Sequence, residues 1–421
     1  MKHIYTSVDL GTDTIKVVVC ELYKNKLNLL AASSEKSEGI KKGLITDVEL
    51  ATASLKRAIN SVEAMLGIEI KKVIASVPSY FMDCSMIKGT IEIPQVMDEY
   101  QEIQDGIISG SDVSRVLSEA MKHYDFQDRE MVAVLPIDFL VNQKDYVRDP
   151  KGLPSRTLST RAMMVSTPKK NIYSVVQLFS GLGIEVIDIS IDAIGDAYAF
   201  KNRELDSTVG AIINIGAETT SVSLYNKGII VKHTMLQLGG KNIDNDIAYV
   251  YKVKSDDARR LKEKFAFAHK SHASKYEYSE VKNIYGDVVR VNQFEISEVV
   301  YSRLGEILNL AKKEIRSLTS RNIDYAIITG GTSNLANFSY IAKEVFGNIA
   351  KLGNVKLIGI RNNKYSSAVG NIAYFVSKLK LKGKEYSMIS TDMEEDLMSS
   401  QNAKESYDSM LGKVFGFFFS E

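Results

Sequence analysis

One ten-residue pattern occurs twice, about half a chain apart. The first copy is Val8-Asp9-Leu10-Gly11-Thr12-Asp13-Thr14-Ile15-Lys16-Val17; the second is Ile213-Asn214-Ile215-Gly216-Ala217-Glu218-Thr219-Thr220-Ser221-Val222. In register, Asp9 meets Asn214, Gly11 meets Gly216, Asp13 meets Glu218 and Thr14 meets Thr219. Each copy is an apolar run, a tight turn with glycine and a second alternating run, the pattern of a β-hairpin. Each continues through a polar tip, Lys24-Asn25-Lys26 or Asn226-Lys227-Gly228, into a third strand-like run. A repeat this widely spaced excludes a short-period solenoid and predicts two similar domains facing each other. Glycine, threonine and backbone N–H groups at such turns wrap anionic oxygens. Two such turns closing from opposite sides would clamp a phosphate chain. The Asp9 carboxylate, at a strand end beside the Gly11 turn, is of the kind that holds a hydrated Mg2+.

The rest of the chain reads as α/β. Apolar residues at 3.6-residue spacing predict helices over 48–66, 168–182, 192–200, 242–251, 255–265, 297–318, 334–345 and 367–379. Asp47 caps the first and Gly67 ends it. Strands are expected over 72–77, 184–189, 288–294, 325–329 and 356–359, and loops over 39–47 and 266–286. Between 84 and 166 the character changes. Strand-like runs at 89–93, 130–142 and 157–165 surround a helix over 111–123, which suggests a small α+β insertion. A length of 421 residues accommodates two to four domains. A net charge of +1 offers no field for nucleic acid. Cys20 sits in an apolar run and Cys84 has no partner motif, so no disulfide framework is expected; the five histidines lack metal-ligand spacing. With no signal-peptide pattern and no apolar run of membrane-spanning length, a reducing cytoplasmic location is the expectation.

The C-terminus stands apart. Residues 381–404 lack an apolar period, carry Asp392, Glu394, Glu395 and Asp396, and read as a solvated linker reaching roughly 25–30 Å. Beyond it, Tyr407, Met410, Leu411, Val414, Phe415, Phe417, Phe418 and Phe419 fall on one arc of about 200° of a helical wheel. Residues 407–421 are too few to span a bilayer and amphipathic enough to lie in its surface. Several Phe-sized side chains at roughly 1.5–3 kcal/mol each outweigh the roughly 1 kcal/mol that Gly412 and Gly416 each remove from the helix. A helix docking on its own protein and a helix binding a partner protein are the competing readings; the long tether argues against the first.

A third glycine turn, Gly330-Gly331-Thr332, joins the 325–329 strand to the next helix and lets a flat or phosphorylated ligand approach backbone. Asp246, one turn past Asn242-Ile243-Asp244, is a further candidate to reach the site.

These segments carry a resemblance. DLGTDTIK (9–16), INIGAETTSVSLY (213–225) and ITGGTSNL (328–335) resemble the two phosphate loops and the adenosine loop of the actin/Hsp70/sugar-kinase ATPase superfamily. VLPIDFLVNQKDYVRDPKGL (134–153), LQLGGKNIDNDIAYVYKV (236–253) and the aromatic tail are similar to segments of one branch, the bacterial cell-division FtsA family. The resemblance implies an α/β, actin-like two-lobed ATPase fold with duplicated ribonuclease-H-like domains and a small α+β inserted subdomain. Its parts would be residues 1–83 with 167–192 and the packing helix 367–380; the insertion 84–166; 193–238 with 320–366; a subdomain 239–319; a linker 381–406; and a membrane-targeting helix 407–421.

It further implies ATP with Mg2+ between the lobes. The residues expected there are Asp9 (Mg2+, through water), Gly11, Thr12, Asp13, Thr14, Lys16, Asn214, Gly216, Ala217, Glu218, Thr219, Thr220, Gly239, Gly240, Asn242, Lys262, Gly330, Gly331 and Thr332. The tail, through Met410, Leu411, Val414, Phe415, Phe417, Phe418 and Phe419, would hold the chain on the cytoplasmic membrane face at the division septum. Implied partners are further copies of the chain in head-to-tail filaments, other divisome proteins and the FtsZ C-terminal peptide. That peptide would lie on the helix over 297–318 near Arg303, a basic amphipathic helix suited to an acidic peptide.

Three departures from the superfamily pattern matter. Asn214 stands where Asp is usual, Ala217-Glu218 where Gly-Gly is usual, and Arg259 where a ribose-binding Glu is usual. Asparagine carries no charge and is a poor base. ATP binding with very slow or absent turnover is therefore expected, with Asn214→Asp as the matching gain test. Two other functions are compatible with the fold. A pilus- or secretion-assembly adaptor generally lacks the aromatic tail. A small-metabolite kinase needs a carboxylate base and a polar substrate pocket.

Overall fold

The computed structural model describes residues 3–97, 103–122 and 124–389. The first repeat is an antiparallel meander of β1 (His3–Leu10), β2 (Thr14–Tyr23) and β3 (Lys26–Lys36), with Asp9 opposite Lys16 and Leu10 opposite Ile15 across the turn. Strands β4 (Ile40–Lys41) and β5 (Leu44–Ile45) then pair, so the expected loop over 39–47 is a tight hairpin. Helix α1 (Val48–Leu66) starts where the Asp47 carboxylate accepts from Leu50 N at 3.0 Å and stops at left-handed Gly67. Strand β6 (Lys72–Val77) runs parallel to β1.

The insertion comprises β7 (Asp83–Glu92), β8 (Val96–Met97), β9 (Ile103–Gln104), β10 (Gly106–Ile107), α2 (Gly110–Met121), β11 (Arg129–Val141), β12 (Asp145–Val147), β13 (Pro154–Ser155) and β14 (Thr157–Pro168). Its four-stranded sheet has the order β12-β11-β14-β7, and Val113 and Val116 of α2 join Phe139, Leu158 and Met164 in a separate core. Helix α3 (Lys169–Ser180), β15 (Glu185–Ile191) and α4 (Asp192–Ala199) complete the first lobe, whose sheet order is β15-β6-β1-β2-β3.

The second lobe repeats that arrangement. Strands β16 (Val209–Ile215), β17 (Thr220–Asn226) and β18 (Ile229–Leu236) form the meander. There follow α5 (Gly240–Tyr251), α6 (Ser255–Lys264), β19 (Tyr278–Lys282), β20 (Val288–Asn292), α7 (Gln293–Leu318), β21 (Tyr325–Thr329), α8 (Phe338–Phe346), β22 (Ala350–Leu352) and α9 (Ser366–Lys382). The sheet order, β18-β17-β16-β21-β22, matches the first lobe position for position, with two parallel strands after the meander in each. Successive side chains of β16 serve both faces: Ile212 joins the core shared with α4 and α9, while Ala211, Ile213 and Ile215 join Ile243, Leu304, Ile307 and Phe338 on the other. Helices α4 and α9 cross at Gly195 and Gly370, and a Cβ on Gly370 would sit 1.6 Å from the Gly195 carbonyl oxygen.

Several sequence expectations need correction. The stretch over 266–286 is not all loop: β19 pairs with β20, its apolar Val281 hidden among polar neighbours. The helix expected from 334 begins at Phe338, because Gly331–Asn334 is a 3-10 turn in which the Asn334 amide donates to the carbonyls of Gly330 and Gly331. No strand forms over 356–359; the edge strand is β22. The chain is not free from residue 381. Met388 is buried, its N–H donates to Ile4 O at 3.0 Å, and Tyr5 Oη donates to Tyr386 O at 2.9 Å, so the segment docks beside β1. The expected helix over 407–421, and most of the expected linker, lie outside the described residues. Cys20 and Cys84 are unpaired, and burial pushes the Cys84 thiol up to about 12.

Candidate functional site

The two repeated turns face each other across a cleft with a cavity of about 480 Å3, within the usual range for small-molecule sites. The third turn, after β21, closes one side. All three lie at the carboxyl ends of parallel strands, where open α/β sheets bind ligands.

In the first turn, Lys16 Nζ lies 3.0 Å from Asp9 Oδ2, and both side chains are largely buried. Gly11 leaves room for this contact; its Cβ would fall 2.5 Å from Lys16 Nζ. Thr12 Oγ1 accepts from Gly43 N at 2.8 Å, and Asp13 pairs with Arg259 at 2.7 Å. In the second turn, Gly216 O accepts from Gly240 N at 2.9 Å and from Thr332 Oγ1 at 3.1 Å, which joins this turn to the start of α5 and to the third turn. Gly330 has φ +91° and lies against Asn214, whose Oδ1 would be 2.4 Å from an added Cβ, so glycine is required there.

Fifteen of the expected residues line the cavity: Asp9, Gly11, Thr12, Asp13, Thr14, Lys16, Asn214, Gly216, Ala217, Thr219, Gly240, Lys262, Gly330, Gly331 and Thr332. Four stand outside the lining. Thr220 Oγ1 donates to Leu238 O, Asn242 Oδ1 accepts from Gly239 N as an α5 cap, Gly239 packs against Ala217 O, and Glu218 is held by Lys241 at 2.8 Å. Lys262 is buried in an ion pair with Asp244 at 2.7 Å. Arg259, at the expected ribose position, is held by Asp13 and by Glu263 at 2.9 Å.

Sequence reading missed the acidic floor. Asp192 opens α4 directly after β15 and lines the cavity. Asp196, one turn on, is buried beneath it and accepts from Asn214 Nδ2 (2.6 Å), Ser366 Oγ (2.6 Å) and Ser367 Oγ (2.9 Å). Burial, reinforced by the charge of Asp196, raises the Asp192 carboxyl to about 7; burial raises Asp196 to about 6 against the pull of its three donors. A polar residue ending a parallel strand at a strand-to-helix junction was the available signal.

A model of the cell division protein FtsA matches residues 211–370, and one of the SHS2 domain inserted in FtsA matches residues 95–166. The cell division protein FtsA of Bacillus subtilis is 27% identical over 384 residues, covering 91% of this chain and 86% of its own.

The chain belongs to the FtsA family.

Solved structures agree on the fold. A PilM–PilN type IV pilus biogenesis complex aligns with TM-score 0.57 at 14% identity, over 89% of this chain and 98% of its own. MreB5 of Spiroplasma citri bound to ADP aligns with TM-score 0.54 at 14% identity, over 90% and 98%. This is the actin-like architecture with the FtsA insertion.

Outside the cleft, this FtsA-family chain has a shallow groove between α5 and α7, lined by Asp246, Tyr249, Val250, Glu298, Arg303 and Glu306. Asp246 does not reach the cleft. It takes Arg303 bidentately, with Nε–Oδ2 at 2.6 Å and Nη2–Oδ1 at 2.9 Å, and Glu306 takes Nη1. The face expected to be basic thus carries two carboxylates on its one arginine, three of whose donors they take, while Glu298 is paired with Lys270. Tyr249 and Val250 are exposed beside it.

Asp192 makes stability depend on pH. Its folded pKa lies above the ordinary carboxylate value of 3.8, so the folded state holds the proton more tightly and stability falls as pH rises from about 4 through about 7. Asp192→Asn removes that titration and keeps an oxygen to accept from Ala193 N. Asp192 lines the cavity rather than a sealed core, so the gain should be roughly 1–3 kcal/mol at pH 8, less than a fully enclosed carboxyl would give. Chemical unfolding in EDTA at pH 5 and pH 8 measures it. An advantage no larger at pH 8 than at pH 5 would exclude this role.

Proposed function

We propose that this chain is an ATP-binding scaffold of cell division that binds the cytoplasmic membrane through residues 407–421, assembles with copies of itself, and tethers FtsZ filaments at the septum. Family membership supports the cell-division role. The nucleotide reading rests chiefly on one observation: two duplicated turns and a third glycine turn converge on one cavity. Its residues suit such a ligand. Backbone N–H groups, Lys16 and Lys264 supply positive charge for phosphates. Asp9 and Asp192 supply oxygen ligands of the kind Mg2+ takes directly or through water, where the cation would neutralise developing phosphate charge. Asn214, donating to Asp196, is not available as a base. Turnover is therefore very slow or absent, and hydrolysis in the per-second range by purified protein would refute this.

The FtsZ reading rests on the family and on the groove between α5 and α7. Tyr249 and Val250 there offer apolar contact. Asp246 and Glu306, two carboxylates sharing the one Arg303, favour a peptide that brings a basic side chain as well as apolar ones.

Liposome co-sedimentation of the full chain and of a truncation after Ser406, each with FtsZ, tests the scaffold. The full chain should pellet and carry FtsZ with it, and the truncation should do neither. Pelleting without FtsZ would overturn the partner. No pelleting would make 407–421 a docking or partner helix.

A further inference from the structure

Glu218, part of the second departure, has a structural role that the superfamily pattern does not supply. It sits in the second turn between Ala217 and Thr219, which both line the cavity. Its side chain does not lean out to solvent. Oε1 takes Lys241 Nζ at 2.8 Å, and Oε2 accepts from the backbone N–H of Lys42 at 2.8 Å. Lys42 belongs to the other lobe, at the tip of the β4–β5 hairpin, where Lys42 (φ 49°) and Gly43 (φ 79°) both take the left-handed conformation of a two-residue turn. The next N–H along, Gly43, donates to Thr12 in the first turn. The hairpin is therefore strapped to both repeated turns at once. Lys42 Nζ adds a bond to Gln237 Oε1 on the second lobe. Burial works against the Glu218 charge, yet Lys241 and the Lys42 N–H hold its carboxyl below the ordinary range, so it is an anion at neutral pH.

A backbone N–H and an ammonium side by side are the donors that hold a phosphate oxygen. Here both are occupied by a carboxylate of the chain itself, where the two turns face. We propose that Glu218 is an internal anion that competes with the terminal phosphate of a nucleoside triphosphate, so that this cleft prefers the diphosphate. This rests on the nucleotide reading above. A triphosphate brings further negative charge against Glu218, and to gain Lys241 and the Lys42 N–H it must expel the carboxylate and release the hairpin. A diphosphate leaves the strap in place. An exposed rim ion pair would have little effect; this carboxylate also takes the Lys42 N–H from the other lobe, and its side chain is only 23% exposed.

Titration calorimetry with Mg2+–ADP and Mg2+–AMPPNP on the full chain tests this. The parent should bind ADP at least about 10-fold more tightly than AMPPNP. Glu218→Gln, and independently Glu218→Ala, should tighten AMPPNP by about that factor and leave ADP within roughly 2-fold. Amide exchange at Lys42 and Gly43 should be slow in the parent, slow with ADP, and faster with AMPPNP or in Glu218→Ala. An AMPPNP-to-ADP ratio unchanged in both variants, with ADP still bound, overturns the competition and spares the nucleotide site. Binding of neither nucleotide to the parent overturns both.

Discussion

Gly370→Ala should unfold the chain's centre. The added Cβ would lie 1.6 Å from Gly195 O, 2.4 Å from Gly195 C and 2.9 Å from Ala199 N, all backbone atoms that cannot rotate aside. Relief requires α4 and α9 to separate, and these helices carry Asp192, Asp196, Ser366 and Ser367 beneath the cavity. Overpacking usually costs about 1–3 kcal/mol, and a backbone clash this close belongs at or above the top of that range. Loss of about 3 kcal/mol or more is expected in denaturant unfolding, together with disorder of the cleft floor. Gly305→Ala is the control. It lies in α7 with open space around its Cβ, and the same change there should gain roughly 0.5–1 kcal/mol. If Gly370→Ala melts with the parent, the helices do not cross as described.

Asn214→Asp should destabilise the protein rather than confer turnover. The Asn214 amide donates to Asp196 Oδ2 at 2.6 Å, and in the variant two carboxyls would meet at that distance. They cannot both ionise, so the pair must keep a proton and its upper pKa must rise above the value near 6 that Asp196 has now. The sign follows from linkage. A raised folded pKa means stability present at low pH and lost as pH rises through it. The penalty should therefore be small near pH 5 and reach roughly 3 kcal/mol or more at pH 8, the scale of a buried charge left uncompensated. No turnover should appear, because the new carboxyl is spent on its neighbour. The double variant Asn214→Asp with Asp196→Asn reverses the donor and acceptor and should recover most of the loss, a coupling readable as a double-mutant cycle. A penalty independent of pH, or no rescue by the second change, would reject the pairing.

The Asp9 and Asn214 turns are legible in the sequence because a hairpin is a local structure: glycine, alternating apolar residues and a polar tip decide it within about 20 residues. Helix α1 is legible to the residue because its cap, its stop and its apolar face are all local. Strand β19 is not, since its pattern Tyr278-Ser279-Glu280-Val281-Lys282 becomes a strand only through its pairing with β20. The β4–β5 hairpin escapes sequence reading because its two-residue strands are too short for any period to show. At the site, the glycine turns follow from the sequence, but Asp192 and Asp196 do not. They look like the ordinary start of a helix until β15 and α9 bring them under Asn214.

By itself, then, the sequence determined that two copies of one hairpin-led unit must face each other, since a repeated pattern buries its apolar face the same way each time. It also determined which glycines, threonines and carboxylates each turn presents. Tertiary structure decided how those groups are used: that Arg259 closes on Asp13, that Lys262 is consumed by Asp244, that Glu218 reaches the other lobe, and that Arg303 is neutralised by Asp246. The physical reason is range. Periodicity and capping act over a few residues, whereas a charged side chain's partner is set by contacts between residues as far apart as 13 and 259, which no local pattern encodes.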